Sequence, residues 1–250
     1  MPSLNPIGFP FVELPAIEST NNYAMGLARE GMARHGTTVF AHTQTKGKGQ
    51  RNKEWFSAEG QNVAMSVLIE PGTVHAAQPF LLSMMVANAT RIFFANLAGD
   101  EVKIKWPNDI YWCDRKAAGI LIENVWQGSD WKFAVVGVGI NINQTDFGGL
   151  GERAVSLKQI TGKEFVPVEL AKDLCRVLQE KYQQMIERPD ATIQEYRNHL
   201  YKINETVSLK KGNKIFDTVI KDVTLNGQLV VVHTVEEIFN VGDVEWVLKK

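Results

Sequence analysis

The spacing of apolar and polar residues changes several times along the chain, and each change marks an element. Residues 9–17 are apolar but broken by Pro10 and Pro15, which suits an edge strand or an extended lead-in. Ser19, Thr20, Asn21 and Asn22 then precede a helical stretch at 23–30 that stops near Gly31. Short β-branched and apolar runs at 37–42 and 62–69 predict strands, separated by a polar loop at 43–54 and closed by Pro71 and Gly72. Leu82, Val86, Ala89, Phe93 and Leu97 recur at helical steps, one face of a long helix over 76–97. Leu81, Met85 and Ile92 widen that face enough to bury the helix. Strands are expected at 102–106, 118–126 and 131–142, with turns at Asp114-Arg115 and Gly128-Ser129-Asp130. Turns this short imply antiparallel pairing. Helices follow at 169–186 and 191–200.

Beyond Tyr201 the pattern shifts to short strands at 207–209, 214–223, 229–233, 237–239 and 244–248, with Asn226-Gly227 as a hairpin turn. The pattern as a whole is that of an α+β protein. A mixed, mostly antiparallel sheet flanked by helices occupies residues 1–200, and a small β-barrel occupies 201–250.

Composition narrows the classes. The 250 residues are 44% hydrophobic and 22% charged, ordinary for a globular protein with a core of useful size. The 27 basic and 28 acidic residues leave a formal net charge of −1, without the basic excess of a nucleic-acid binder. Cys113 and Cys175 form no C-x-x-C pair, so no zinc or redox motif is present. The first residues lack the basic start and apolar run of a signal peptide, and no apolar stretch reads as a bilayer span. The expectation is a cytoplasmic protein with no membrane and no nucleic-acid partner.

Three segments carry candidate chemistry. Lys46, Lys48, Arg51 and Lys53 crowd a segment that also holds Gly47 and Gly49, just ahead of Trp55-Phe56. It matches neither the G-x-x-x-x-G-K-[ST] nor the G-x-G-x-x-G phosphate pattern. Two readings stand: a solvated basic loop without a ligand, or a loop ordered by an anion. Crowded like charges repel, and one opposite-charge contact at roughly 4 Å is worth about 4 kcal/mol at an effective dielectric near 20. The glycines would let backbone N–H groups close on such a ligand. The segment Lys105, Trp106, Pro107, Asn108, Asp109 is either an ordinary turn or a bend that projects polar groups beside an apolar strand. Lys116 taken alone reads as a surface charge. Gly137 and Gly139 inside a strand mark either a bulge or a close approach by a ligand or another part of the chain.

Taken in order, these segments resemble the biotin protein ligases. The resemblance is carried by Ser19-Thr20-Asn21, by Gln44 with Gly47-Lys48-Gly49-Gln50-Arg51, and by the Lys-Trp-Pro-Asn-Asp run at 105–109. Arg115-Lys116-Ala117-Ala118-Gly119-Ile120-Leu121-Ile122-Glu123 and Gly137-Val138-Gly139-Ile140-Asn141 complete it. It covers nearly the whole chain, and the ordered set is far more specific than any single part. Lipoate ligases share the superfamily fold, but the run at 105–109 points to biotin. The resemblance implies a class II synthetase-like ligase domain with an SH3-like C-terminal barrel. It implies an enzyme that joins biotin to ATP with Mg²⁺, giving biotinyl-5′-adenylate and pyrophosphate. The biotinyl group then passes to a lysine of a biotin carboxyl carrier protein, releasing AMP.

The same resemblance distributes roles. Biotin would be held by Ser19, Thr20, Asn21, Gln44, Gly47, Lys48, Gly49, Gln50, Trp55, Lys116, Gly119 and Ile120. The nucleotide would meet Arg51, Lys53, Asn108, Asp109, Lys116 and Asn141, with Mg²⁺ at Asp109. Lys116, Arg51, Lys48 and Asp109 would carry the chemistry, because two anions must be held together while charge develops at the α-phosphate. Asp109 would also orient or deprotonate the accepting lysine. Locally, Ser19-Thr20-Asn21 reads equally as a helix N-cap and Trp55 as a core tryptophan. The chain departs from the family's usual Gly-Arg-Gly-Arg-Arg-Gly loop at Lys48, Gln50 and Asn52, which implies weaker electrostatic retention of the adenylate. Eighteen residues precede Ser19, too few for the helix-turn-helix domain of some relatives, so the expectation is a dedicated ligase and not a repressor. An exposed sheet edge could pair two subunits into a homodimer. The alternatives are a lipoate or other acyl-acid ligase on this fold, or a non-catalytic biotin-binding regulator.

Overall fold

A computed structural model describes residues 4–72 and 78–247. A seven-stranded sheet runs β1-β2-β3-β7-β6-β5-β4, formed by β1 (Phe11–Ile17), β2 (Thr38–Gln44), β3 (Val63–Ile69), β4 (Val102–Lys105), β5 (Asp109–Trp112), β6 (Arg115–Gln127) and β7 (Asp130–Ile140). β1 pairs parallel with β2 and every other pair is antiparallel, so the sheet is mixed and mostly antiparallel, as the short turns imply. β1 is an edge strand, where Pro15 removes no ladder hydrogen bond that the sheet needs.

Helix α1 (Thr20–Arg29) begins three residues before the expected start because Ser19 caps it, accepting from the Asn22 N–H. It covers one face of the sheet, its Ala24 clustering with Leu68 and Val135 of the strands beneath. Helix α2 (Phe80–Ala98) lies on the other face with α4 (Pro167–Glu187) and α5 (Pro189–Asn198). The expected start of α2 at 76 lies outside the described residues. By length and hydropathy α2 would satisfy a membrane span, contrary to the sequence reading. Its apolar surface is instead taken up by β4, β5, β6, α4 and α5. Two elements were not anticipated. β5 follows the bend at Pro107 directly, and α3 (Leu157–Thr161) is a single capped turn closed by Ser156 and Gln159.

The second sheet, β11-β10-β9-β8-β12, is antiparallel throughout. It comprises β8 (Thr206–Lys211), β9 (Lys214–Val223), β10 (Leu229–Val232), β11 (Glu236–Phe239) and β12 (Glu245–Trp246). The expected last strand extends to Leu248, which lies outside the described residues. The turn between β9 and β10 docks this sheet on the first. A Cβ at Gly227 would stand 2.3 Å from the Phe80 ring, and the Gly227 carbonyl accepts from Trp106 Nε1 at 2.9 Å. Glycine is needed there for a positive φ and also for the close fit.

His35 illustrates how tightly the chain closes around the first sheet. It is buried, takes the Glu70 N–H on Nδ1 at 3.1 Å and packs against Tyr182. Burial lowers its pKa to about 4. The folded state therefore binds fewer protons than the unfolded chain between that value and the ordinary 6.5. Stability should fall as pH drops through this window, by up to about 3 kcal/mol. His35→Asn, which keeps an acceptor, should flatten this part of a urea-unfolding profile against pH. An unchanged slope would exclude His35 as its source.

Candidate active site

Strand register explains why the candidate residues meet. Residues directly opposite each other in paired strands share a face. One row across five strands reads Ala64, Gly139, Gly119, Asp109, Lys105. The next reads Ser66, Gly137, Leu121, and the one after it Leu68, Val135, Glu123. All lie on the face that α1 covers, while the alternating Val136, Val138 and Ile140 enter the opposite core.

The glycines open that face. A Cβ on Gly139 would stand 2.4 Å from Trp55 Cε2, and one on Gly119 would stand 3.1 Å from Trp55 Cζ3. The indole thus lies flat on two strands that have no side chains beneath it. A Cβ on Gly137 would fall 2.2 Å from Asn21 Oδ1. The in-strand glycines therefore mark close approach by other side chains, not a bulge.

The basic segment is also built, not merely solvated. Gly47 O accepts from Trp55 N at 2.9 Å, Lys53 O accepts from Gly49 N at 2.7 Å, and Arg51 sits in the left-handed region at φ 56°. A Cβ on Gly47 would meet the Trp55 carbonyl at 2.3 Å. Lys46 turns away to Glu18, whereas Lys48, Arg51 and Lys53 line a cavity of about 510 Å³ without an ion pair among the described residues.

Ser19, Thr20 and Asn21 are buried at one end of the cavity. The Gln44 Oε1 accepts from Thr20 N at 2.8 Å and from the Thr20 hydroxyl at 3.0 Å. Asn21 is held by Ser66, whose hydroxyl donates to Oδ1 at 2.6 Å, and by Glu123, which accepts from Nδ2 at 2.9 Å. At the other end Lys116 Nζ meets Asp109 Oδ1 at 2.6 Å and lies 5.6 Å from the Trp55 ring. Asn108 Nδ2 donates to the Ile120 carbonyl at 2.6 Å, so its amide staples the bend to β6.

Two expected residues stand off the cavity lining. Gly47 acts through the position of Trp55. Asn141 is buried behind the site, donating to the Lys116 and Val155 carbonyls at 3.2 Å, so it buttresses Lys116. Lys105 lines the cavity too, although the sequence reading assigned it no role of its own. Other lining residues were not singled out from the sequence: Tyr111, Leu150, Arg153, and from the second sheet the turn residues Val241 and Gly242, then Val244, with Trp246 of β12. A Cβ on Gly242 would lie 3.1 Å from Arg51 Cζ, so this turn backs the basic loop. Lys105 is 8% exposed, its ammonium 5.1 Å from the Tyr111 ring centre and 4.9 Å from that of Trp246. Burial brings its pKa down to about 8; Lys116 and Lys53 add to the shift and Asp109 opposes it. The Lys-Trp-Pro-Asn-Asp run at 105–109 was the sequence signal that drew attention to this lysine.

The cavity thus joins a flat aromatic slot with small polar groups at one end to a cluster of cations at the other, where Glu54, Asp109 and Glu245 also contribute to the lining. Such a shape suits an acid with an apolar body beside a polyanion.

Residues 13–141 match the biotin/lipoate A/B protein ligase family. The chain is 39% identical over 131 residues to a bifunctional ligase/repressor, BirA, of Salmonella typhimurium, covering 52% of this chain and 39% of that protein. It thus matches well under half the length of that relative. It is 32% identical over 163 residues to a biotin–[acetyl-CoA-carboxylase] ligase of Paracoccus denitrificans, covering 62% of this chain and 66% of that one. In fold it is similar to a biotin protein ligase from Aquifex aeolicus solved with biotin and ATP, with a TM-score of 0.78 and 23% identity over 94% of this chain and 97% of that one.

The glycine floor predicts a specific coupling. Gly139→Ala should displace the indole and destabilise the protein by about 1–3 kcal/mol in chemical denaturation. In a Trp55→Ala background the same substitution should cost little, because the clash partner is gone. Equal costs in both backgrounds would show that the indole does not rest on Gly139.

Proposed function

The chain belongs to the biotin/lipoate A/B protein ligase family, and from that premise we propose that it activates biotin with ATP and transfers it to a lysine of a biotin carboxyl carrier protein. The observation that carries this reading is the junction of the Trp55 slot with the cations Lys116, Lys48, Arg51 and Lys53 in one cavity. An acid with a small polar head, a ring and an aliphatic chain would fill the slot and present its carboxylate to Lys116.

In this reading Ser19, Thr20 and Gln44 take the ureido head, with Asn21 acting from behind. Trp55, Gly119 and Ile120 wall the ring and chain, and Lys48, Gly49 and Gln50 close over them. Arg51, Lys53, Asn108 and Asp109 face the nucleotide, and Lys105 and Arg153 add to the charge there. A biotin carboxylate oxygen attacks the α-phosphorus, the bond to the bridging oxygen breaks, and pyrophosphate leaves with the electron pair. The carrier amine then attacks the acyl carbon of the adenylate and AMP departs. Asp109, which pairs with Lys116 before any ligand arrives, orients or deprotonates that amine in this reading.

Mg²⁺ needs only one or two protein carboxylates when phosphates and water complete its shell. No cluster of three ligating side chains occurs among the described residues, but Asp109 supplies a hard oxygen in the cavity, so this donor set fits the ion. When bound, the ion would neutralise charge on the phosphate oxygens. The division at residue 200, a homodimer across a sheet edge, a cytoplasmic address and the lack of a nucleic-acid partner belong to the same reading.

Pyrophosphate release from Mg·ATP should depend on biotin and not on lipoate or octanoate, and Lys116→Met should slow it by about 10²- to 10³-fold. Release with lipoate alone would place the chain on the lipoate side of its family. Biotin binding without pyrophosphate release would make it a non-catalytic binder. Gln50→Arg should slow escape of the adenylate into solvent, because a paired cationic donor replaces a neutral one. An unchanged or faster escape rate would count against that role for the loop.

A further inference from the structure

Ser66 is the polar residue in an otherwise apolar strand, Val-Ala-Met-Ser-Val-Leu-Ile, that is buried on both faces. It sits behind the polar end of the cavity with Glu123, and neither was assigned a role above beyond holding Asn21. We propose that both are positioning residues: a one-way chain of hydrogen bonds from Thr20 through Ser66 and Asn21 to Glu123 leaves the Thr20 hydroxyl oxygen as an acceptor facing the cavity, and so selects an acid whose head group carries N–H donors. The inference rests on the function proposed above and names the source of its specificity.

The direction follows from which atoms only accept. A carboxylate accepts, so Asn21 turns its Nδ2 to Glu123 at 2.9 Å. Asn21 Oδ1 must then face Ser66, and at 2.6 Å it takes the one proton that Ser66 has. Ser66 Oγ is left to accept from Thr20, 2.8 Å away. The Thr20 hydroxyl has a second acceptor, Gln44 Oε1 at 3.0 Å, which the Thr20 N–H holds in place. Either choice sends the Thr20 proton into the protein and leaves its oxygen with an unused lone pair. The Ser19 oxygen accepts from Asn22 N, which frees its own proton to donate. Ser66 is fully buried, and Thr20 and Asn21 are 3% and 4% exposed, so water does not scramble the order among these three; Glu123, the terminal acceptor, is partly buried. Each donation in such a low-dielectric chain strengthens the next.

The cavity end therefore offers a donor beside an acceptor. A cyclic urea, with a carbonyl between two N–H groups, satisfies both. A dithiolane has no N–H and would leave the Thr20 oxygen unpaired, which is how polar sites reject analogues lacking a donor.

The test is steady-state pyrophosphate release, with KM for biotin and for ATP measured separately. Glu123→Ala and Ser66→Ala should each raise the biotin KM by about tenfold or more, with the ATP KM moving less than about twofold. The preference for biotin over lipoate should narrow in the same variants. Asn21→Asp sets two carboxylates against each other and should lose about a hundredfold in kcat/KM. Adding Glu123→Gln lets the amide donate to the new carboxylate, which still accepts from Ser66, and should recover about tenfold or more. Loss of biotin and ATP affinity together, an unchanged biotin KM, or no recovery in the double variant would overturn the proposal. A wild type inactive with biotin would instead refute the functional reading on which it rests.

Discussion

The absence of a side chain at three positions on one sheet face sets the geometry of this protein's cavity. Gly119 and Gly139 lie opposite each other on β6 and β7, and Gly137 is the next residue on the same face. Because no Cβ rises from them, an indole and a carboxamide settle directly on the strands. Trp55 in turn fixes Gly47, and through it the return of the basic loop. Asn21 fixes the start of α1 against Ser66. A methyl group at Gly139 or Gly137 would have to push the indole or the Asn21 carboxamide out of a packed interior, which costs more than the entropy that glycine itself loses on folding.

The electrostatics follow from that shape. The chain as a whole is nearly neutral, yet Lys48, Arg51, Lys53, Lys105 and Arg153 face one cavity without ion pairs among the described residues. Lys116 has Asp109, but that pair keeps 33% and 19% of its side chains exposed and lines the cavity where a ligand can reach it. Gathering cations in a concave, partly desolvated space disfavours the empty protein and favours an anionic ligand by the same amount. Lys105 records this: burial and neighbouring charge lower its proton affinity, and an arriving phosphate would raise it again. The second sheet takes part, since its turn at Gly242 backs Arg51 and its Trp246 covers Lys105.

Much of this was legible in the sequence because period and punctuation are local. Two strand-like runs about the Gly128-Ser129-Asp130 turn marked β6 and β7, helical spacing marked α2, and Asn226-Gly227 marked a real turn. The α+β class and the mixed sheet followed. What escaped depended on distant partners. β5 is four residues long and begins inside a segment rich in turn formers, so only its pairing with β4 and β6 identifies it. Lys105 opened a candidate segment but had no role of its own until Tyr111 and Trp246 closed round it. Asn141 shared a motif with two site glycines but points behind the site, because its amide is needed by the Lys116 and Val155 carbonyls. The sequence reading found no bilayer span, yet α2 meets the length and hydropathy of one, because a buried core helix and a membrane span read alike until neighbours appear.

The central claim is that one cavity holds an acid and a nucleotide close enough to be joined. Isolating the joined species tests it most directly. The protein incubated with biotin and α-labelled Mg·ATP, then passed through a desalting column, should retain a label that chromatographs as biotinyl-5′-adenylate. Lys116→Met should retain far less of it under the same conditions. A wild type that binds biotin and ATP yet never yields the mixed anhydride would contradict the account.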